Sequence, residues 1–130
     1  MRNPDVIIPP NHPNPPDSHE IEAAWILARH FGTVVEFLIP TNGYKTKTAD
    51  FVIDGLIWEM KSPTGKSKNT VGFAFKRGSK QARCIVLDAR RIGLREHEAL
   101  KYVQREYERR RKIRRVLFIT KSLQVLDLQR

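Results

Sequence analysis

The sequence predicts an α/β fold, and three observations carry that expectation. Helical periodicity alternates with short apolar strands from residue 17 onward. An Asp-Gly pair, Asp54-Gly55, closes a hairpin in the middle of the chain. Residues 83–88 (RCIVLD) are almost continuously apolar, as in a strand covered on both faces.

The elements follow in order. Residues 1–17 hold six of the eight prolines (Pro4, Pro9, Pro10, Pro13, Pro15 and Pro16). Proline lacks a backbone donor and restricts its predecessor, so this stretch reads as an extended arm or linker, with a single folded domain over 18–130. Residues 18–31 (SHEIEAAWILARHF) form a helix, with Asp17 or Ser18 as N-cap and Gly32 just past its end. Strands follow at 33–39, 48–53 and 56–61. Residues 68–81 read as a helix weakened by Gly72 and Gly78. After the buried strand 83–88 comes a charged helix over 95–112, with Ala99, Leu100, Val103 and Tyr107 on one side, and two last strands at 115–120 and 123–127.

Composition narrows the function. A chain of 130 residues with 40% hydrophobic content supports one modest core, and its net charge of +10 calls for a polyanionic partner, nucleic acid before anionic membrane. Cys84 is the lone cysteine, which excludes an intramolecular disulfide framework and a multi-cysteine zinc site; it reads as a small core residue. No apolar run approaches the ~20 residues that span a bilayer, so no membrane insertion is expected.

The hairpin is the most informative segment. With Asp54 and Gly55 as a two-residue loop, Ile53 pairs with Leu56, Val52 with Ile57, Phe51 with Trp58, and Asp50 falls opposite Glu59, with Lys61 on the same face. Phe51, Ile53, Leu56, Trp58 and Met60 make up an apolar face to be buried. Opposed carboxylates repel unless something neutralises them. A divalent cation would do so, and Mg²⁺ takes one or two protein carboxylates beside substrate phosphate oxygens. Lys61 would then orient an attacking water or offset charge on the phosphate. The other reading leaves Asp50 and Glu59 as solvated strand-end acids with Lys61 as their ion-pair partner.

Glu20 lies at the edge of the apolar arc of its helix (Ile21, Ala24, Trp25, Leu27, Ala28, Phe31), which suits a third site acid. It also completes a capping box with Asp17. His19 reads as a helix-start residue, because no second His or Cys stands at ligand spacing.

A helix carrying Glu20, then Asp50, then Glu59-Met60-Lys61 on the next strand resembles the PD-(D/E)xK nuclease superfamily over residues 18–88, although Ala49 stands where that pattern often has proline. More narrowly, HEIEAAWILARHFG and TADFVIDGLIWEMKSPTGKS resemble the C-terminal nuclease domains of bacterial contact-dependent growth-inhibition CdiA toxins. The resemblance implies a restriction-endonuclease-like mixed central sheet flanked by helices, and metal-dependent cleavage of RNA, commonly tRNA, inside a target cell. It implies Asp50 and Glu59 as metal ligands, Lys61 as the catalytic lysine and Glu20 as an assisting acid. The implied metal is Mg²⁺, with Mn²⁺ or Zn²⁺ as alternatives. It further implies a cognate immunity protein and delivery from a cell surface into the target-cell cytoplasm. Some relatives cut DNA.

The bases are clustered. Residues 61–83 carry Lys61, Lys66, Lys68, Lys76, Arg77, Lys80 and Arg83 with no acid, and residues 101–115 are also strongly basic. Because the family arrangement packs the segment after the lysine beside the site, Lys66, Lys68, Lys76 and Lys80 are the candidate phosphate contacts, with Gln81 weaker. Residues 109–112 (RRRK) read as a solvated helix end. Tyr44 reads either as a loop residue or as a stacking partner for an unpaired base. Against the nuclease stand a non-catalytic basic nucleic-acid-binding module and an inactive subunit of a larger nuclease.

Overall fold

The computed structural model of the protein describes residues 3–39, 50–80 and 82–130, and for Asp50 the backbone alone. Tyr44 and Gln81 lie outside the described residues. The elements are β1 (Asp5–Ile7), α1 (Ser18–Phe31), β2 (Val34–Phe37), β3 (Asp50–Ile53), β4 (Leu56–Lys61), α2 (Thr70–Gly78), β5 (Cys84–Asp88), α3 (Glu96–Arg109), β6 (Arg115–Ile119) and β7 (Val125–Gln129). The strands run β1 to β7 in chain order through one mixed sheet, so the predicted α/β class with a mixed sheet and flanking helices is the observed one. The chain divides into two compact units, residues 1–58 and 59–130.

In the first unit α1 begins where the sequence says it should. Asp17 accepts from the Glu20 backbone N–H at 2.8 Å, and Glu20 Oε1 accepts from the Asp17 N–H at 2.9 Å, so two backbone donors of the first turn are satisfied reciprocally. Gly32 ends the helix in the left-handed region (φ 60°), which a Cβ would disfavour. Ala23, Ala24, Leu27 and Ala28 are buried, as are Val35, Phe37, Phe51, Ile53 and Trp58, and the Phe37 and Phe51 rings meet edge to face at 5.8 Å. Trp25 is half-buried with the Arg29 guanidinium 5.3 Å above its ring, rather than a core residue as its place on the apolar arc suggests.

The proline-rich segment differs from its sequence reading. Asp5, Val6 and Ile7 form β1, parallel to β2 in the register Asp5↔Val34, Val6↔Val35 and Ile7↔Glu36, and His12 Nε2 lies 2.9 Å from the Leu38 carbonyl. Residues 5–8 (DVII) are the proline-free stretch between Pro4 and Pro9. Prolines outside a strand cost it no ladder bond, and β1 stands at the edge of the sheet, where proline neighbours are tolerated.

The hairpin turn is as expected. Asp54 and Gly55 have φ of 50° and 80°, the pair of positive values that a type I′ loop demands, and β3 ends at Ile53 while β4 starts at Leu56. The apolar face holds for Phe51, Ile53, Trp58 and Met60 but not for Leu56, which is 42% exposed beside the turn.

In the second unit β4 and β5 run parallel in the register Glu59↔Ile85, Met60↔Val86 and Lys61↔Leu87. Every residue of β5 is buried, as its apolar run predicts. Ile85, Leu87, Val116 and Phe118 pack with Val71 and Phe75 of α2 and Ala99 and Val103 of α3. The expected strand at 123–127 is displaced to β7. Leu123 takes a positive φ of 67° in a turn where Gln124 N–H donates to Thr120 Oγ1 at 2.9 Å, so the strand starts only at Val125.

Cys84 is buried, as expected, and burial pushes its thiol up from the ordinary value, with the Arg115 charge opposing in part. The proton is held more tightly folded than unfolded. The resulting stabilisation is complete below the ordinary thiol pKa of about 8.5 and fades as pH rises through the higher folded value. Urea midpoints followed into alkaline pH should therefore fall less steeply in Cys84→Ala than in wild type.

Candidate active site

β4 carries Glu59 and Lys61 two residues apart, hence on one face of the strand. Glu59 is fully buried, and Lys61 Nζ lies 3.4 Å from Glu59 Oε1 with the lysine side chain 16% exposed. Glu59 is therefore not the solvated strand-end acid of the plainer reading, although its ion pair with Lys61 is one that reading expects. The neighbouring helix makes room for it. A Cβ on Gly78, in the last turn of α2, would stand 3.7 Å from Glu59 Cγ and 3.2 Å from Ile85 Cδ1, so glycine lets the helix end lie close over the buried acid.

Lys61 opens into a cleft of about 370 Å³ lined also by Ser62, Pro63, Thr70, Phe73, Ala74 and Arg77. Ser62 in its lining is held by a residue that motif reasoning passed over. Asp88, 1% exposed at the end of β5, accepts from Arg90 Nε at 2.8 Å and Arg90 Nη2 at 2.7 Å, from the Arg90 backbone N–H at 3.1 Å and from Ser62 Oγ at 3.2 Å. The Arg90 fork holds the Asp88 carboxylate, and the Ser62 hydroxyl bond to that carboxylate ties the residue after Lys61 to the end of β5. The signal in the sequence was an acid closing a buried apolar strand with an arginine two residues on, which pattern reading takes as a strand terminus.

Glu20 serves the capping box of α1. The side chain of Asp50 lies outside the described residues. Among the described residues no three His, Cys, Asp or Glu side chains gather to hold a metal. Glu59 is a hard oxygen donor, which suits Mg²⁺, a cation that needs few protein ligands. The four candidate phosphate lysines are all exposed and have different surroundings. Lys68 and Lys76 line a cleft with residues of α3, Lys80 lines another with Arg83, Arg111, Lys112 and Arg114, and Lys66 packs its Cβ where Gly93 leaves space. In the basic end of α3, Arg109 and Arg110 both pair with the buried Glu106, at 3.3 Å and 2.9 Å. Among the described residues no helix is long and apolar enough to cross a membrane.

No curated protein matches the chain. The solved CdiA-CT/CdiI toxin and immunity complex from Burkholderia pseudomallei is similar in fold, with a TM-score of 0.61 at 15% identity over 97% of this chain and 99% of that one. The sequence model of the contact-dependent growth inhibition CdiA C-terminal domain matches residues 47–125, a stretch that includes Asp50, Glu59, Lys61 and Asp88. That match spans well over half of the chain, from the hairpin to the start of β7, and the protein therefore belongs to the contact-dependent growth inhibition CdiA C-terminal domain family.

Proposed function

We propose that the chain is a toxin nuclease domain that hydrolyses phosphodiester bonds of RNA, with tRNA as its substrate, in a reaction that depends on a divalent metal. The observation that carries this reading is the buried Glu59 carboxylate 3.4 Å from the Nζ of Lys61, which itself lines a cleft with Arg77. Membership of the CdiA family and the sequence pattern Asp50, Glu59-Met60-Lys61 support it.

Asp50 and Glu59 would hold Mg²⁺. Bound there, the ion would supply Lewis-acid activation of the phosphate and a nucleophilic water at neutral pH. Lys61 orients that water and offsets the charge that builds on the phosphate oxygens as the new P–O bond forms and the ester P–O bond breaks. Arg77, in the wall of the same cleft, neutralises the substrate backbone. Glu20 would support the site only if the substrate or the metal draws it from the cap it makes.

The solved relative is a complex of toxin and immunity protein, which supports a cognate immunity protein as the partner of this chain. Membership of the contact-dependent growth inhibition family supports delivery from a cell surface to a target cell, and action in the cytoplasm of that cell is part of the same proposal. Incubating the purified chain with total tRNA and with plasmid DNA, with Mg²⁺, Mn²⁺ or Zn²⁺ and with chelator, tests the whole reading. The expected result is metal-dependent cleavage of tRNA and intact plasmid. Cleavage of plasmid alone would make the substrate DNA, and salt-dependent binding without cleavage under any metal would leave a basic binding module.

A further inference from the structure

Phe73 sits on the solvent side of α2 with 58% of its surface exposed, an unusual place for a large aromatic on a nine-residue helix. It lines two clefts at once. On one side is the cleft that holds Lys61, Ser62 and Arg77. On the other is a cleft of about 270 Å³ between α2 and α3, lined also by Lys68, Asn69, Lys76, Tyr102 and Arg105.

The charge in that second cleft is uncompensated. Its acid, Glu106, is already engaged by Arg109 and Arg110. Among the described residues no ion pair engages Lys68, Lys76 or Arg105, and Arg105 instead lies 5.5 Å over the Tyr102 ring, held by a cation–π contact. An exposed ring with three available cations beside it is the chemistry of single-strand binding, in which bases stack on aromatic faces while cations follow the phosphates. A duplex hides its base faces in its own stack, so the ring suits an unpaired segment.

We propose that Phe73 is the stacking platform for an unpaired base of the substrate, and that Lys68, Lys76 and Arg105 hold the phosphates on the side of that base away from Lys61. The strand then crosses the ridge of α2 from the Lys61 cleft into the α2–α3 cleft. This rests on the nuclease reading for the identity of the ligand, and it selects loops or single-stranded ends as the part of the RNA that is engaged.

Binding without turnover tests it. Fluorescence anisotropy with a short labelled single-stranded RNA, and with the same sequence as a duplex, is measured on the full chain in the Glu59→Gln background. Phe73→Ala should weaken single-strand binding about tenfold, the size of one lost base stack, and leave duplex binding and the salt slope unchanged. Phe73→Trp should restore single-strand affinity. Arg105→Ala should lower the salt slope by about 0.7, one phosphate contact on a single strand. Because Phe73 is exposed, its variants keep the fold, which circular dichroism checks. Unaltered single-strand affinity in Phe73→Ala, or an equal loss on the duplex, overturns the proposal, and the surface is then a docking face for an acidic protein. A chain that cleaves nothing yet shows the Phe73 effect overturns the nuclease reading alone, whereas a cleaving chain without that effect overturns this proposal alone.

Discussion

Glu59→Gln is expected to reduce tRNA cleavage by about 10²–10⁴-fold, and Lys61→Ala to do the same, since each removes a charge from the reacting centre. The two variants should part company in stability. Glu59 is fully buried, so replacing its carboxylate by a neutral amide of the same shape removes a desolvation cost and leaves the thermal midpoint equal or higher. Lys61→Ala takes away the ammonium 3.4 Å from that buried carboxylate and lowers the midpoint. Lys61→Arg is therefore the informative partner. It keeps the positive charge and much of the stability, but presents a planar fork in place of a compact ammonium, and cleavage stays impaired. Single-turnover cleavage and thermal unfolding on the same preparations read both quantities. Wild-type rates in Glu59→Gln would remove the acid from the mechanism, and a large fall in its midpoint would give Glu59 a structural role instead.

Arg90→Met should destabilise the chain by about 3–5 kcal/mol, the cost of leaving a buried carboxylate without its fork partner. Asp88 is 1% exposed, and three of the hydrogen bonds to its oxygens come from Arg90. Ser62 Oγ at 3.2 Å is a neutral donor and compensates only in part. Adding Asp88→Leu to Arg90→Met removes the stranded charge, so the double variant should recover much of the loss. Urea unfolding with an unchanged slope measures the difference. A loss below about 1 kcal/mol would show that Asp88 reaches water in solution and that the fork is no more than a surface pair. Arg90→Met should also slow cleavage through the position of Ser62, without touching the substrate.

Local chemistry explains what was legible in advance. Asp54-Gly55 specifies positive φ at two successive positions, a demand few other dipeptides meet, so the turn was readable from two letters. Residues 84–88 are apolar at every position but the last, and a strand covered on both faces requires that. The capping box of α1 was readable for the same reason, since a side chain reaches a backbone amide only three residues away. The role of Glu20 was harder to read, because cap and site acid call for the same residue at the same place.

Other features depended on neighbours distant in sequence. Three residues of the proline-rich segment became β1 because β2 offers them a parallel partner some thirty residues later. The last strand began at Val125 because Thr120 draws Gln124 into a turn. Asp88 became a brace because Arg90 folds back to it and the end of β4 brings Ser62 alongside.

The net charge of +10, the hairpin and the pairing of an acid with a lysine on one strand face are properties of the sequence by itself, set by composition and by interactions over a few residues. Their consequences belong to the tertiary structure. Packing of α2 over β4 and β5 took Glu59 out of water and left Lys61 at a cleft. The meeting of α2 and α3 divided one basic stretch into separate clefts with Phe73 on the ridge of two of them. Burial and the joining of remote side chains depend on which surfaces meet, and no pattern of neighbours along the chain encodes that directly.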